Sequence, residues 1–162
     1  MMSMGQPKRK PNRLPDFDYS QSGGYFITVC TKDKAKILCD IVGGDAFIAP
    51  QTRLSTTGKV VEKYINSIND GLSARVDKYV IMPNHIHMLI SLDKGPMRAS
   101  APTKSIPGIM RSFKGLVTKE LGESVFRRSY HDHIIRDEKD YLVHWNYIDT
   151  NPAKWQDDEY YG

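Results

Sequence analysis

Cysteine is scarce in this 162-residue chain, with only Cys30 and Cys39. Two thiols exclude a disulfide framework and match no zinc-ribbon spacing, so a reducing, cytoplasmic setting is the expectation. Long apolar runs are also missing. None approaches the roughly 18 residues that a membrane-spanning helix needs, so no membrane partner is expected. Lys8, Arg9 and Lys10 have no apolar stretch behind them, which argues against a secretory signal. No internal repeat and no domain-breaking linker is visible. Residues 16–162 are therefore expected to form one domain, long enough to bury a core, behind a flexible basic arm at 1–15. Charge of one sign does not dominate. Lys and Arg number 23 against 19 Asp and Glu, for a net charge of +4 and a pI near 9.0. That balance leans towards a polyanionic partner.

What is present is a pattern of short strands and amphipathic helices. Tyr25 to Thr31 has strand composition after Gly23-Gly24. Ile37 to Val42 and Ala46 to Ala49 flank Gly43-Gly44-Asp45 and predict a small inserted hairpin. Val60, Val61, Tyr64, Ile65 and Ile68 follow helical spacing, so a helix is predicted from about Gly58 to Asn69, capped by Thr56 or Thr57 and ended by Gly71. Arg75 to Met82 and His85 to Leu92 predict two strands joined at Pro83-Asn84. Asp93 to Pro102 reads as a loop. Ser105 caps a second helix with Pro107 in its first turn, and Ile106, Ile109, Met110, Phe113, Leu116, Val117 and Leu121 form its stripe. A strand around Tyr130 to Ile135 and a helix from Arg136 to about Thr150, stopped by Pro152, complete the order. Strand, helix, strand, strand, helix, strand is the ferredoxin-like split βαβ arrangement. The fold class is thus α+β: an antiparallel sheet with helices on one face, plus an added C-terminal helix and the inserted hairpin.

The chemistry concentrates at Met82-Pro83-Asn84-His85-Ile86-His87. Residues two apart on a strand share a face, so His85 and His87 project side by side, a good start for a divalent-metal site. The bland alternative is a pair of half-buried, hydrogen-bonded sheet histidines. The last helix offers a second half. Asp140, His144, Tyr147 and Asn151 form a polar stripe beside the apolar Tyr141, Leu142, Trp145 and Ile148. Were this helix to lie near the histidine strand, Asn151 would add an amide oxygen and Tyr147 its phenol. The mixed N and O set suits Mg²⁺ or Mn²⁺. His131 and His133 make a second His-x-His pair as rival ligands, and Tyr130 is the rival tyrosine.

Taken together, Met82-Pro83-Asn84-His85-Ile86-His87, Tyr147-Ile148-Asp149-Thr150-Asn151-Pro152, Arg128-Ser129-Tyr130-His131-Asp132-His133-Ile134-Ile135-Arg136 and Arg13-Leu14-Pro15 before the Tyr25 strand resemble the single-tyrosine transposases of the HUH endonuclease superfamily. The closest likeness is to their REP-associated tyrosine transposase branch. One departure is Phe126-Arg127, where the family often has Trp-Gln. The resemblance implies that His85, His87 and Asn151 hold the metal and that Tyr147 is the nucleophile. It implies cleavage and rejoining of single-stranded DNA through a 5′-phosphotyrosine, with DNA hairpins as partners. Arg111, Lys114, Arg127, Arg128 and Arg136 are candidate phosphate contacts. Homodimer and monomer both stay open. The alternative function is a domesticated, non-catalytic protein that only binds DNA or RNA hairpins.

Overall fold

The computed structural model describes residues 23–44, 49–71, 74–92, 105–158 and 160. The expected basic arm at 1–15 and the loop at 93–102 lie outside the described residues. The elements are β1 (Gly23–Cys30), β2 (Cys39–Val42), β3 (Gln51–Leu54), α1 (Thr56–Ser67), β4 (Ala74–Ile81), β5 (His85–Leu92), α2 (Ile106–Leu121), β6 (His131–Ile134) and α3 (Glu138–Thr150). A 3₁₀ segment, Pro152–Asp157, follows α3. The main sheet has the order β4-β5-β1-β6 with antiparallel neighbours. This is the split βαβ topology expected from the order of elements.

The two sheet faces bury different sets. Tyr25, Ile27 and Val29 of β1 and Ile86, Met88 and Ile90 of β5 pack with Val61 and Ile65 of α1 and Ile109, Met110, Phe113 and Val117 of α2. Burying a side chain of this kind contributes about 1.5–3 kcal/mol. On the opposite face Val80, Met82 and Leu89 pack with Ile148, bordered by Tyr141 and Trp145 of α3. The sheet is therefore covered on both sides, with α3 on the side where His85 and His87 project. Polar contacts also fix α3. Tyr141 donates to Asp77 at 3.0 Å, Lys78 pairs with Asp149 at 3.0 Å, and the Lys78 ammonium lies 4.5 Å above the Trp145 ring.

Three sequence expectations are corrected. The inserted hairpin pairs β2 with β3, Val42 opposite Gln51 and Cys39 opposite Leu54, so its second strand is Gln51–Leu54, while most of the stretch expected to supply it, 46–48, lies outside the described residues. Those strands form a separate two-stranded sheet with no fully buried face, which leaves β3 without a hydrophobic alternation to read. Ser55, not Thr56 or Thr57, caps α1 by accepting from Gly58 N at 3.0 Å. Leu142 is 50% exposed, so the apolar stripe of α3 is carried by Tyr141, Trp145 and Ile148. No helix among the described residues is long and apolar enough to cross a membrane.

Candidate metal and tyrosine site

The β4–β5 turn sets the site. Met82 N donates to His85 O at 2.8 Å, closing the turn, while Asn84 O receives the Thr31 N–H at 3.0 Å. His85 and His87 then follow on one face of β5 at 0% and 1% exposure, with Ile86 turned into the other core. Each imidazole is held through Nδ1. Asn84 Oδ1 lies 2.8 Å from His85 Nδ1, and Thr28 Oγ1 lies 2.8 Å from His87 Nδ1. An amide oxygen only accepts, so His85 carries its proton on Nδ1 and its lone pair on Nε2. Thr28 permits the same tautomer for His87. Partners of this kind fix the tautomer and ring orientation of metal-ligating histidines.

Four buried atoms at this point lack any hydrogen-bond partner: His85 Nε2, His87 Nε2, Asn151 Oδ1 and Asp158 Oδ2. A buried polar atom left unpaired costs about 1–3 kcal/mol. Two lone-pair nitrogens and two oxygens, turned to one place, fit a hard divalent cation. His85, His87 and Asp158 offer ligand atoms that all lie within 4.8 Å of one another. Burial drives His85 down to about 4, against the opposing pull of Asp158 and Asn151. Burial likewise holds His87 well below its usual value, helped by the neighbouring His85 and His144. Both rings are thus kept neutral and able to ligate at neutral pH.

The polar stripe of α3 arrives as the helical spacing anticipates. Asn151, the C-cap of α3, is 2% exposed. The Tyr147 ring stands 5.2 Å from the His87 ring and edge-on to Phe26 at 5.9 Å. Tyr147 and His87 line a cleft of about 420 Å³ together with Phe26, Thr28, His144 and Tyr160. All of these residues belong to one chain. Of the rival residues, Tyr130 parts from the site, whereas His131 and His133 line the same cleft as His87 and Tyr147. Tyr130 is 5% exposed within the α1–α2 core. His133 joins Asp140 and His144 rather than His131. Its Nε2 is 2.9 Å from Asp140 Oδ2, its ring stacks on His144 at 4.6 Å, and the Asp140 carboxylate also takes the Arg136 N–H at 3.0 Å.

The five basic residues separate into groups. Lys114 Nζ donates to the carbonyls of Arg127, Arg128 and Ser129 at 2.8, 3.1 and 3.2 Å. It thereby ties α2 to the segment before β6, where Arg127 and Arg128 are exposed. Arg111 is exposed one turn earlier on α2. Arg136 lies beyond the other end of β6, lining a separate depression with Gly23, Gly24 and Ser91.

Sequence reading missed Asp158 and Tyr160. The Asp158 side chain is 1% exposed with Oδ2 at 3.7 Å from His85 Nε2, and the Tyr160 ring lies 4.5 Å from that of His85. Both follow Pro152 and a 3₁₀ segment that breaks the helical phase, so no periodicity could carry α3's pattern to them. Asn84 links them to the turn, since its side chain orients His85 and donates to Tyr160 O at 2.7 Å.

A ferredoxin-like sheet with a buried imidazole pair faced by a helical tyrosine defines the class. No protein-family model matches the chain. An uncharacterized protein of Haemophilus influenzae is 34% identical, with 94% of this chain and 93% of that protein aligned. A second H. influenzae protein, provisionally described as a REP-associated tyrosine transposase, is 25% identical over 85% of this chain and 74% of its own length. The REP-associated tyrosine transposase of Escherichia coli K12 is 23% identical over 84% and 70%. The structure of a REP-associated tyrosine transposase bound to a REP hairpin shares the fold, with a TM-score of 0.62, 21% identity, and coverage of 88% of this chain and 74% of that one. The chain belongs to the family of REP-associated tyrosine transposases.

Proposed function

We propose that the protein is a metal-dependent single-stranded DNA endonuclease and strand transferase, acting on hairpin-bearing DNA through a 5′-phosphotyrosine on Tyr147. Its family supports DNA processing of the transposase kind. The observation that carries the finer reading is the meeting of buried, unpartnered donors from β5 and α3 with the Tyr147 ring 5.2 Å from His87. His85, His87 and Asn151 would hold Mg²⁺ or Mn²⁺, which supplies Lewis-acid polarisation of the scissile phosphate. A hairpin as partner is suggested by the solved relative, which was bound to one. Residues 16–162 would act as one catalytic domain in the cytoplasm.

The step is a phosphoryl transfer to tyrosine. The Tyr147 oxygen attacks phosphorus, an O–P bond forms, and the bond to the 3′ oxygen breaks. The freed 3′-hydroxyl can later reverse the reaction without ATP, because the phosphotyrosine keeps the diester energy. A phenol has a pKa near 10, so its proton must pass to an acceptor as attack proceeds. His144 stands on the same face of α3 one turn before Tyr147. Its Nδ1 is engaged by Asp140, 2.8 Å from the backbone oxygen and 3.1 Å from Oδ1. It is the residue we assign to that proton.

The test uses labelled single-stranded hairpin DNA with Mn²⁺. A covalent adduct that resists denaturing gel electrophoresis and disappears in Tyr147→Phe is the expected result. Hairpin binding with no adduct in the wild-type protein would instead favour the non-catalytic binding alternative.

A further inference from the structure

We infer that Asp158 is a further protein ligand of the divalent cation, so that a carboxylate from beyond α3 joins the imidazoles of β5 and the amide of Asn151 in one cage. The inference rests on reading the site as a metal centre. The Asp158 side chain is 1% exposed, and its Oδ2 accepts no hydrogen bond. An unpaired carboxylate in such surroundings is expensive, and a cation is the natural compensation. His85 does not provide it, since Nε2 is 3.7 Å away and bears a lone pair rather than a proton. Two donors each about 2.1 Å from a shared ion stand between about 3 and 4.2 Å apart, which brackets that separation.

The carboxylate is aimed, not merely enclosed. Asp158 Oδ1 accepts the Tyr160 N–H at 2.8 Å, which turns Oδ2 towards the imidazoles. Tyr160 O in turn accepts from Asn84, and the rings of Tyr160 and Trp155 lie 4.5 and 6.0 Å from His85. Asn84 therefore orients both a histidine ligand and the segment that carries the carboxylate. Two consequences follow. With one anionic ligand and three neutral ones, a divalent ion keeps one unit of net positive charge for a phosphate oxygen. Octahedral Mg²⁺ or Mn²⁺ would also keep two positions open. Cation binding, moreover, fastens the segment after α3 to the site.

Calorimetric titration of the full chain with Mn²⁺, without DNA, tests this, alongside hydrogen exchange of residues 152–158. Asp158→Ala is expected to bind Mn²⁺ at least about tenfold more weakly than wild type, with Asp158→Asn between the two. Mn²⁺ should slow exchange in that segment in wild type and not in Asp158→Ala. Circular dichroism checks that each variant is folded, and if the alanine variant is not, the isosteric Asn variant decides. Wild-type affinity in both variants, with binding abolished in His87→Ala, overturns the inference and leaves the metal centre standing. Absence of Mn²⁺ binding to the wild type overturns both.

Discussion

The rings of Tyr147 and His87 meet edge to face, 5.2 Å between centroids, on α3 and β5 of a single chain. A second tyrosine, Tyr160, lies 6.1 Å from the same imidazole, so position alone admits two phenols. Tyr147→Phe is expected to abolish adduct formation and to slow cleavage at least about a thousandfold while leaving Mn²⁺ affinity unchanged. Tyr160→Phe should keep the adduct. Peptide mapping of the trapped DNA-protein species checks the assignment, and a label on Tyr160 would refute it.

Removal of the metal should silence cleavage, and Mn²⁺ should restore it. Because a ligand that binds only the folded state stabilises it, Mn²⁺ at about 100 times its Kd is expected to add about 2.7 kcal/mol. Thermal melts with and without the ion measure this. The increment should vanish in His85→Ala and His87→Ala, which remove ligands, and persist in Tyr147→Phe.

The docking of α3 should report on pH through Asp77 and Tyr141. Burial alone would raise the Asp77 carboxyl, but hydrogen bonds from Ser91, Arg75 and Tyr141 outweigh it and hold the group below its usual range. Its contribution is present above the unfolded value near 4 and is lost as pH falls through the lower folded value. Burial, followed by the bond to Asp77 and its charge, pushes Tyr141 up to about 12. That contribution is full below pH about 10 and fades as pH rises towards 12. Tyr141→Phe should flatten the alkaline limb of a stability-versus-pH curve followed by circular dichroism.

Gly58 sits in the first turn of α1 against the chain before β2. A Cβ there would meet Leu38 O at 2.0 Å and the Leu54 side chain at 3.3 Å. The first contact is with backbone, which cannot swing aside. Gly58→Ala is therefore expected to destabilise by about 2 kcal/mol or more despite alanine's better helix propensity, as urea denaturation would register.

The basic residues around β6 should divide in a salt titration. Arg127→Ala and Arg128→Ala are expected each to weaken hairpin binding across sequences and to lower the salt slope by about one. Lys114 spends its ammonium on three carbonyls. Lys114→Met should therefore reduce thermal stability more than it changes the slope.

The topology was legible because β1, β4 and β5 each carry an apolar face towards α1 and α2, as Tyr25, Ile27 and Val29 do on β1. The convergence of Tyr147 and Asn151 on His87 and His85 was half legible. Helical spacing puts the two on one face, yet only tertiary packing of Ile148 on Leu89 and Val80 decides which part of the sheet they meet. The β3 strand escaped because Gln51, Thr52 and Arg53 are polar, so its alternation of exposed and half-buried positions is not written in apolar residues. Asp158 escaped for a different reason. A lone acidic residue after a proline-initiated 3₁₀ turn has no pattern at all, and its role appears only from the buried atoms it faces.

Because the imidazoles, the amide and the phenol all come from the same polypeptide, no borrowing between subunits is needed to assemble the site. Mixing Tyr147→Phe protein with His87→Ala protein should therefore rescue nothing, and the cutting rate per molecule should stay constant on dilution. A cell carrying two differently crippled copies of this gene would be as inert as one carrying either alone.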